Sequence, residues 1–211
     1  MAEAVVSWKT ARLTRADVAL LRPGAWLNDA VIGFWLEYLA SSPAPSGFED
    51  REDIIFLDPA AASVITSEND PEDLQDLLDP LELSSKNVLL APINDRTERG
   101  GSGGSHWALL AISRENSGAL KADYYDSMGT SNHEQAVRLA RKLLPAMGGG
   151  GQERVQVCEA GKQDNQSDCG VFTLLFAERL AQGNDPARVT CDQAAQMRSQ
   201  MHETIKALSK K

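Results

Sequence analysis

Cys169 closes a polar run, Gln163-Asp164-Asn165-Gln166-Ser167-Asp168-Cys169-Gly170, and is followed by an apolar one from Val171 to Leu180. The apolar run is periodic and predicts a buried helix. Asp168 is a candidate N-cap, which places Cys169 in the first helical turn, where free backbone N–H groups and the dipole favour an anion. A thiolate is such an anion and the reactive form of cysteine. A free cysteine with a pKa near 8.5 is only a few per cent thiolate at neutral pH, and lowering that pKa by about three units needs roughly 4 kcal/mol. A helix terminus supplies about 0.3–1 kcal/mol, or about 2 at best. A nucleophilic Cys169 therefore requires a cation beside it; without one it reads as a small core residue.

His106 is the natural source. It opens a predicted strand directly after the glycine-rich tail Gly100-Gly101-Ser102-Gly103-Gly104-Ser105, and Asp126 ends the next predicted strand. If those strands pair antiparallel through the turn at 114–118, the start of one lies beside the end of the other. His106 and Asp126 then share one end of the sheet, and Cys169 has to pack against that same end. Asp126 would fix the imidazole tautomer and stabilise its charged form. Taken alone, Asp126-Ser127 reads as a turn start and His106 as a surface histidine. His133 and His202, in helices with polar neighbours, are expected to face solvent, and Cys158 and Cys191 to be structural.

The elements that must position these residues follow in order. Ala4 to Trp8 reads as a short edge strand, and Thr14 precedes a short helix stopped by Pro23-Gly24. Trp26-Leu27-Asn28-Asp29 leads into an almost wholly apolar helix to Ala40, capped by Asn28 or Asp29 and containing Trp35 as a core residue. A surface loop is expected over 41–50. Asp58-Pro59 and Asp70-Pro71 set proline just inside two short helices near 59–66 and 71–78. Strands are expected at 87–93, 106–112, 120–126 and 154–158, and a loop at 94–105 whose tail, 100–105, is mobile when nothing holds it. Ser131-Asn132-His133-Glu134 has the form of a capping box opening a helix to about Leu144. Gly183 can end the helix that starts at Cys169, and Thr190 with Gln193 starts a last helix to about Leu208. The reading is α+β or mixed α/β, with at least four central strands.

The chain has 211 residues, 42% of them hydrophobic, and shows neither internal repeats nor a composition shift, so residues 1–211 are expected to form one domain. A net charge of −9 argues against a general nucleic-acid binder. No apolar run suits a membrane span and no signal peptide is evident, so no membrane partner is expected. Three cysteines without framework spacing point to a reducing compartment, cytoplasmic or nuclear. The scattered histidines and missing C-x-x-C pairs predict no metal, and no cofactor is expected.

Taken together, His106-Trp107, Asp126-Ser127 and Gln163-x-Asn165-x-x-Asp168-Cys169-Gly170 resemble the signature of the Ulp/sentrin-specific cysteine proteases, in that family's order of His, Asp, Cys. The likeness runs from Trp26-Leu27-Asn28-Asp29 to the final helix. Within the family it is greatest to the deneddylase branch, through Trp26 to Asp29 with Ile32-Gly33-Phe34 and Glu37-Tyr38, Leu81-Glu82-Leu83, and Ile93-Asn94-Asp95. The resemblance implies a single-domain α+β Ulp-type fold, a central mixed sheet flanked by helices. It implies a monomeric thiol protease that cleaves after the C-terminal Gly-Gly of a Nedd-type ubiquitin-like modifier, acting on conjugates such as cullins and on the modifier's precursor.

Carried over by position, Cys169 is the nucleophile, His106 the base and Asp126 its orienter, with Gln163 an oxyanion donor beside the Cys169 N–H. Trp26 and Trp107 become the walls of a slot over the diglycine, and Asp29 a partner for a basic residue of the modifier's tail. The glycine-rich loop resembles one that orders on modifier binding. Ser167 departs from the aromatic usual before Asp-Cys, so altered packing beside the nucleophile is expected. Two other readings stay open: a protease for SUMO or ubiquitin with the same mechanism, and a non-catalytic modifier-binding module. An acetyltransferase on a similar scaffold finds no support in the residues.

Overall fold

The computed structural model describes residues 3–41, 51–95, 104–150 and 154–209. At its centre is a mixed five-stranded sheet in the order β3-β4-β5-β6-β7. The strands are β3 (Ile54–Phe56), β4 (Val88–Asn94), β5 (Trp107–Arg114), β6 (Leu120–Tyr125) and β7 (Val155–Val157). β5 runs antiparallel to both β4 and β6, and each edge strand runs parallel to the strand beside it. Gly118, at φ 86°, turns the β5–β6 hairpin, where a side chain would be strained.

Alternation along β4 and β5 divides the core. Leu89, Ala91, Ile93, Ala108, Leu110 and Ile112 face one layer, made of α3 (Pro59–Ser67), α4 (Pro71–Leu78) and α5 (His133–Ala146). Leu90, Leu109 and Ala111 face the other, made of α2 (Asp29–Ser41), α6 (Cys169–Ala181) and α7 (Cys191–Leu208). A strand covered on both faces must be apolar throughout, which is why β5 reads as a continuous hydrophobic run. Phe172, Phe176 and Trp35 lie at 1% exposure or less, so α6 and α2 are buried on most sides.

The predicted caps form where proline or a capping box marks them. Asp58 and Asp70 each accept from two N–H groups at the starts of α3 and α4, and Thr190 with Gln193 completes a reciprocal box on α7. Asn28 caps α2 by accepting from Val31 N at 3.0 Å.

Three expectations change. A hairpin of β1 (Ala4–Trp8) with β2 (Ala11–Thr14) stands apart from the main sheet, and its second strand was not foreseen. It turns at Lys9 with φ 47°, where no glycine signals the bend, and Glu37 of α2 accepts from Thr10 N and Ala11 N to hold it. β3, three half-buried residues at the sheet edge, is too short to show a period. The Ser131–Glu134 box does not form: α5 starts at His133, after Asn132, with no side-chain capping bond. The expected loop at 41–50, apart from Ser41, and most of the glycine-rich loop fall outside the described residues.

Candidate active site

The β5–β6 register pairs Leu109 with Tyr125, so His106, just before β5, and Asp126, just after β6, come to the same end of the sheet. His106 Nε2 lies 2.7 Å from Asp126 Oδ1. Both side chains are buried, at 6% and 3% exposure. The carboxylate is further held by Tyr124, whose hydroxyl donates to Oδ2 at 2.7 Å, and by the backbone N–H groups of Met128 and Gly129. These bonds leave Asp126 no freedom to follow a moving proton, only to orient the ring.

The His106 backbone is fixed independently. Its N–H donates to Asp95 Oδ1 at 3.2 Å, and its carbonyl accepts from Asn94 Nδ2 at 3.2 Å and Asn132 Nδ2 at 2.9 Å. Asn132 is fully buried, its N–H donates to Tyr124 Oη at 3.1 Å, and its amide also reaches the Ile93 carbonyl. The residue before α5 therefore turns its side-chain amide to the strand carbonyls and makes no cap. Neither Asn132 nor Tyr124 was singled out from the sequence, since a polar residue at a helix start reads first as a cap.

Cys169 begins α6 at 2% exposure. The other ring nitrogen of His106, Nδ1, has no fully formed hydrogen bond. Cys169 also acts on the ring, as a weak hydrogen-bond partner and through charge. Burial pulls the imidazole pKa down, but the bonds to Asp126 and Cys169 outweigh it and raise the value from 6.5 to about 9. Burial likewise opposes ionisation of Asp126, yet the bonds from His106, Tyr124 and Met128 hold its carboxyl down at about 2. At neutral pH the ring is therefore an imidazolium beside the sulfur, the counter-ion that the helix terminus alone could not replace.

Asp168 occupies the N-cap position but makes no capping bond. Its carboxylate pairs with Arg198 of α7 and accepts from Asn165 Nδ2 at 2.9 Å. Asn165 organises the loop: its Oδ1 accepts from Ser167 N, Ser167 Oγ and Asp168 N at 2.9–3.1 Å. Ser167 thus makes polar bonds within the loop and lines a cavity beside it, which is how its packing differs from that of an aromatic.

The loop is strapped to the sheet by two residues. Lys162 Nζ donates to the Asp126 carbonyl at 2.9 Å, and Gln163 N donates to the Ser127 carbonyl at 3.2 Å. The Gln163 side chain accepts from Ser127 Oγ at 2.5 Å and donates to the Asn165 carbonyl at 2.6 Å. A carbonyl only accepts, so this second bond fixes the amide orientation, and one amide proton remains for another acceptor.

Trp107 is nearly buried and its indole N–H donates to the Leu27 carbonyl at 2.9 Å. Trp26, the residue before Leu27, is 47% exposed. Gly170 lets these elements approach: a Cβ there would stand 3.1 Å from Leu27 Cβ and 3.4 Å from Trp107 Cδ1. Asp29 starts α2 and is half-buried, with no side-chain partner among the described residues. His133 is a correction: it is half-buried, with Nε2 3.1 Å from the Val155 carbonyl and its ring edge-on to Tyr124.

The chain is similar to a set of known proteins. The Ulp1 protease family, C-terminal catalytic domain, matches residues 25–211. Mouse sentrin-specific protease 8 is 36% identical over 180 residues, covering 84% of this chain and 78% of that protein. NEDD8-specific protease 1 of Arabidopsis thaliana is 30% identical over 179 residues, covering 84% and 75%. Among solved structures, the yeast Ulp1 protease domain in complex with Smt3, the yeast ortholog of SUMO, superposes with a TM-score of 0.75 at 16% identity, covering 100% of this chain and 90% of that one.

Proposed function

This chain belongs to the Ulp1 protease family, and we propose that it is a deneddylating thiol isopeptidase whose catalytic residues are Cys169, His106 and Asp126. Cysteine-type peptidase activity follows from the family; the assignment of residues and substrate is our reading. The observation that carries it is the buried 2.7 Å His106–Asp126 pair, with Cys169 close enough to interact with the same ring. The preference for a Nedd-type modifier is supported by the 30–36% identity to proteins named NEDD8-specific protease 1 and sentrin-specific protease 8.

In this mechanism the Cys169 thiolate attacks the carbonyl carbon of the modifier's last glycine, and the C=O electrons move onto oxygen. Gln163 Nε2 and the Cys169 backbone N–H donate to that oxyanion. Collapse of the intermediate breaks the C–N bond, and His106 passes its proton to the departing lysine amine. A water then loses a proton to His106 and attacks the thioester, whose C–S bond breaks to release the modifier and restore the thiolate beside a protonated His106. Asp126 keeps Nε2 of the ring occupied throughout, so Nδ1 is the atom that exchanges the proton. Trp26 and Trp107 flank the tail, where only glycine lacks the Cβ that would clash, and Asp29 meets a basic residue of the modifier.

The substrates are then neddylated proteins such as cullins, and the modifier's precursor. We further propose a monomer of the cytoplasm or nucleus, where reducing conditions keep all three cysteines free. Light scattering and cell fractionation test those two points, and a stable dimer or a secreted pool would reject them.

Side-by-side labelling with the C-terminal electrophile probes of the Nedd-type modifier, SUMO and ubiquitin tests the main proposal. Preferential labelling of Cys169 by the Nedd-type probe is expected. Preference for SUMO or ubiquitin would reassign the substrate, and full cleavage of a neddylated protein by Cys169→Ala would reject the catalytic assignment.

A further inference from the structure

Arg198 of α7 is a guanidinium at 4% exposure, and every one of its five N–H donors is used. Nε donates to Asp168 Oδ1 at 2.7 Å. Nη1 donates to the carbonyls of Leu20 and Arg22 at 3.0 and 3.4 Å, and Nη2 to those of Ala25 and Ser167 at 2.7 and 3.1 Å. Burying a charge is costly unless it is paired and hydrogen-bonded, and a helix needing only an anchor at this position would be served by leucine or methionine. The set of acceptors shows what the guanidinium joins. Leu20, Arg22 and Ala25 lie on the segment that ends at Trp26. Ser167 and Asp168 immediately precede Cys169. Among the described residues no backbone hydrogen bond links these two segments.

We propose that Arg198 is a positioning residue that sets the gap between the Trp26 segment and the Cys169 loop, and thereby governs capture of the modifier's tail. This rests on the protease reading above, with Trp26 as one wall of the tail slot. The Trp107–Leu27 bond ties the Trp26 segment to β5, so among the described residues Arg198 is the hydrogen-bonded link between that segment and the Cys169 loop. The His106–Asp126 pair belongs to a different frame, the β5–β6 hairpin with Asn132, and Arg198 touches none of it. Loss of the guanidinium should therefore disturb capture far more than it disturbs the titration of the ring.

The test is Arg198→Lys, which keeps the charge but has three donors in place of five. With the Nedd-type electrophile probe, the half-saturating concentration should rise about tenfold or more, as for the loss of one or two bonds to a charged donor, while the limiting rate changes less than about threefold. Alkylation of Cys169 by iodoacetamide should keep its wild-type pH profile. In a Trp26→Ala background, Arg198→Lys should add little further loss, because the wall it positions is already gone. Asp168→Asn, which keeps the shape of the pair and removes its charge, should raise half-saturation in the same direction and decides the matter where the lysine variant does not fold.

An unchanged half-saturation in the folded variants, a shifted alkylation profile, or additive losses with Trp26→Ala would overturn the proposal. Failure of the wild-type protein to react with any modifier probe would instead reject the parent reading, so the two failures are distinguishable.

Discussion

The Asn132 side chain donates to the His106 carbonyl at 2.9 Å across 26 residues of sequence, from a helix start that it leaves uncapped. His106 is thus gripped by its backbone as well as by its ring. Asn132→Ala should leave the Ile93 and His106 carbonyls with fewer donors in a buried setting, costing about 1–3 kcal/mol of stability. It should also lower kcat/KM by about tenfold to a hundredfold, as expected when a supporting group no longer holds a reactive one in place. Denaturant melts and steady-state kinetics on the same preparation check both, and wild-type kinetics would refute the positioning role.

The pH profile has a definite alkaline limb. The His106 pKa rises from 6.5 to about 9 on folding, so the imidazolium's contribution to stability is complete below about 6.5 and lost as pH passes through about 9. Substrate turnover should fall over that upper range, because a neutral His106 has no proton to give the departing amine. In Asp126→Asn the strongest influence raising the value is gone while burial still pulls it down, so the limb should move to lower pH by more than one unit. Turnover of a neddylated substrate measured from pH 5 to about 10 reports the limb directly, and an unmoved limb would contradict the pairing.

Gln163→Ala should lower kcat by about 10²–10³ with little change in KM, the signature of an interaction made only in the transition state. A rise in KM alone would instead assign Gln163 to holding the loop through Ser127 and Asn165.

Gly170→Ala tests the close approach beside Cys169. Alanine favours a helix by about 0.5–1 kcal/mol, but crowding of a packed site costs about 1–3 kcal/mol. Leu27 Cβ at 3.1 Å and Ile32 Cδ1 at 3.3 Å would both have to give. A net loss of about 1 kcal/mol is expected, with a raised half-saturation for the modifier probe because Leu27 carries Trp26 with it. A more stable variant with unchanged capture would show that this packing is loose.

The hairpin was legible because its information is local. The apolar period marks β5 and β6, the short turn between them sets the register, and arithmetic then brings His106 to Asp126. The start of α6 at Cys169 was legible for the same reason. What escaped were polar residues whose value lies in distant contacts. Asn132 sat inside a plausible capping box, Asn165 in a loop that looked solvated, and Arg198 in the most polar helix. Arg198 reaches Ala25 across 173 positions, and nothing near it in the chain hints at burial. Asp168 was assigned to its own helix terminus, whereas the neighbouring guanidinium claims its carboxylate.

The order in which these groups are synthesised has a consequence for the growing chain. His106, Asp126 and Cys169 are all polymerised before Arg198, which arrives 30 residues after Asp168. A nascent chain therefore carries the three reactive side chains while the brace joining the Trp26 and Cys169 segments has yet to be made. Ribosome-bound chains should gain probe reactivity only once α7 has emerged. Labelling of chains stalled short of that point would show instead that the thiol is armed early.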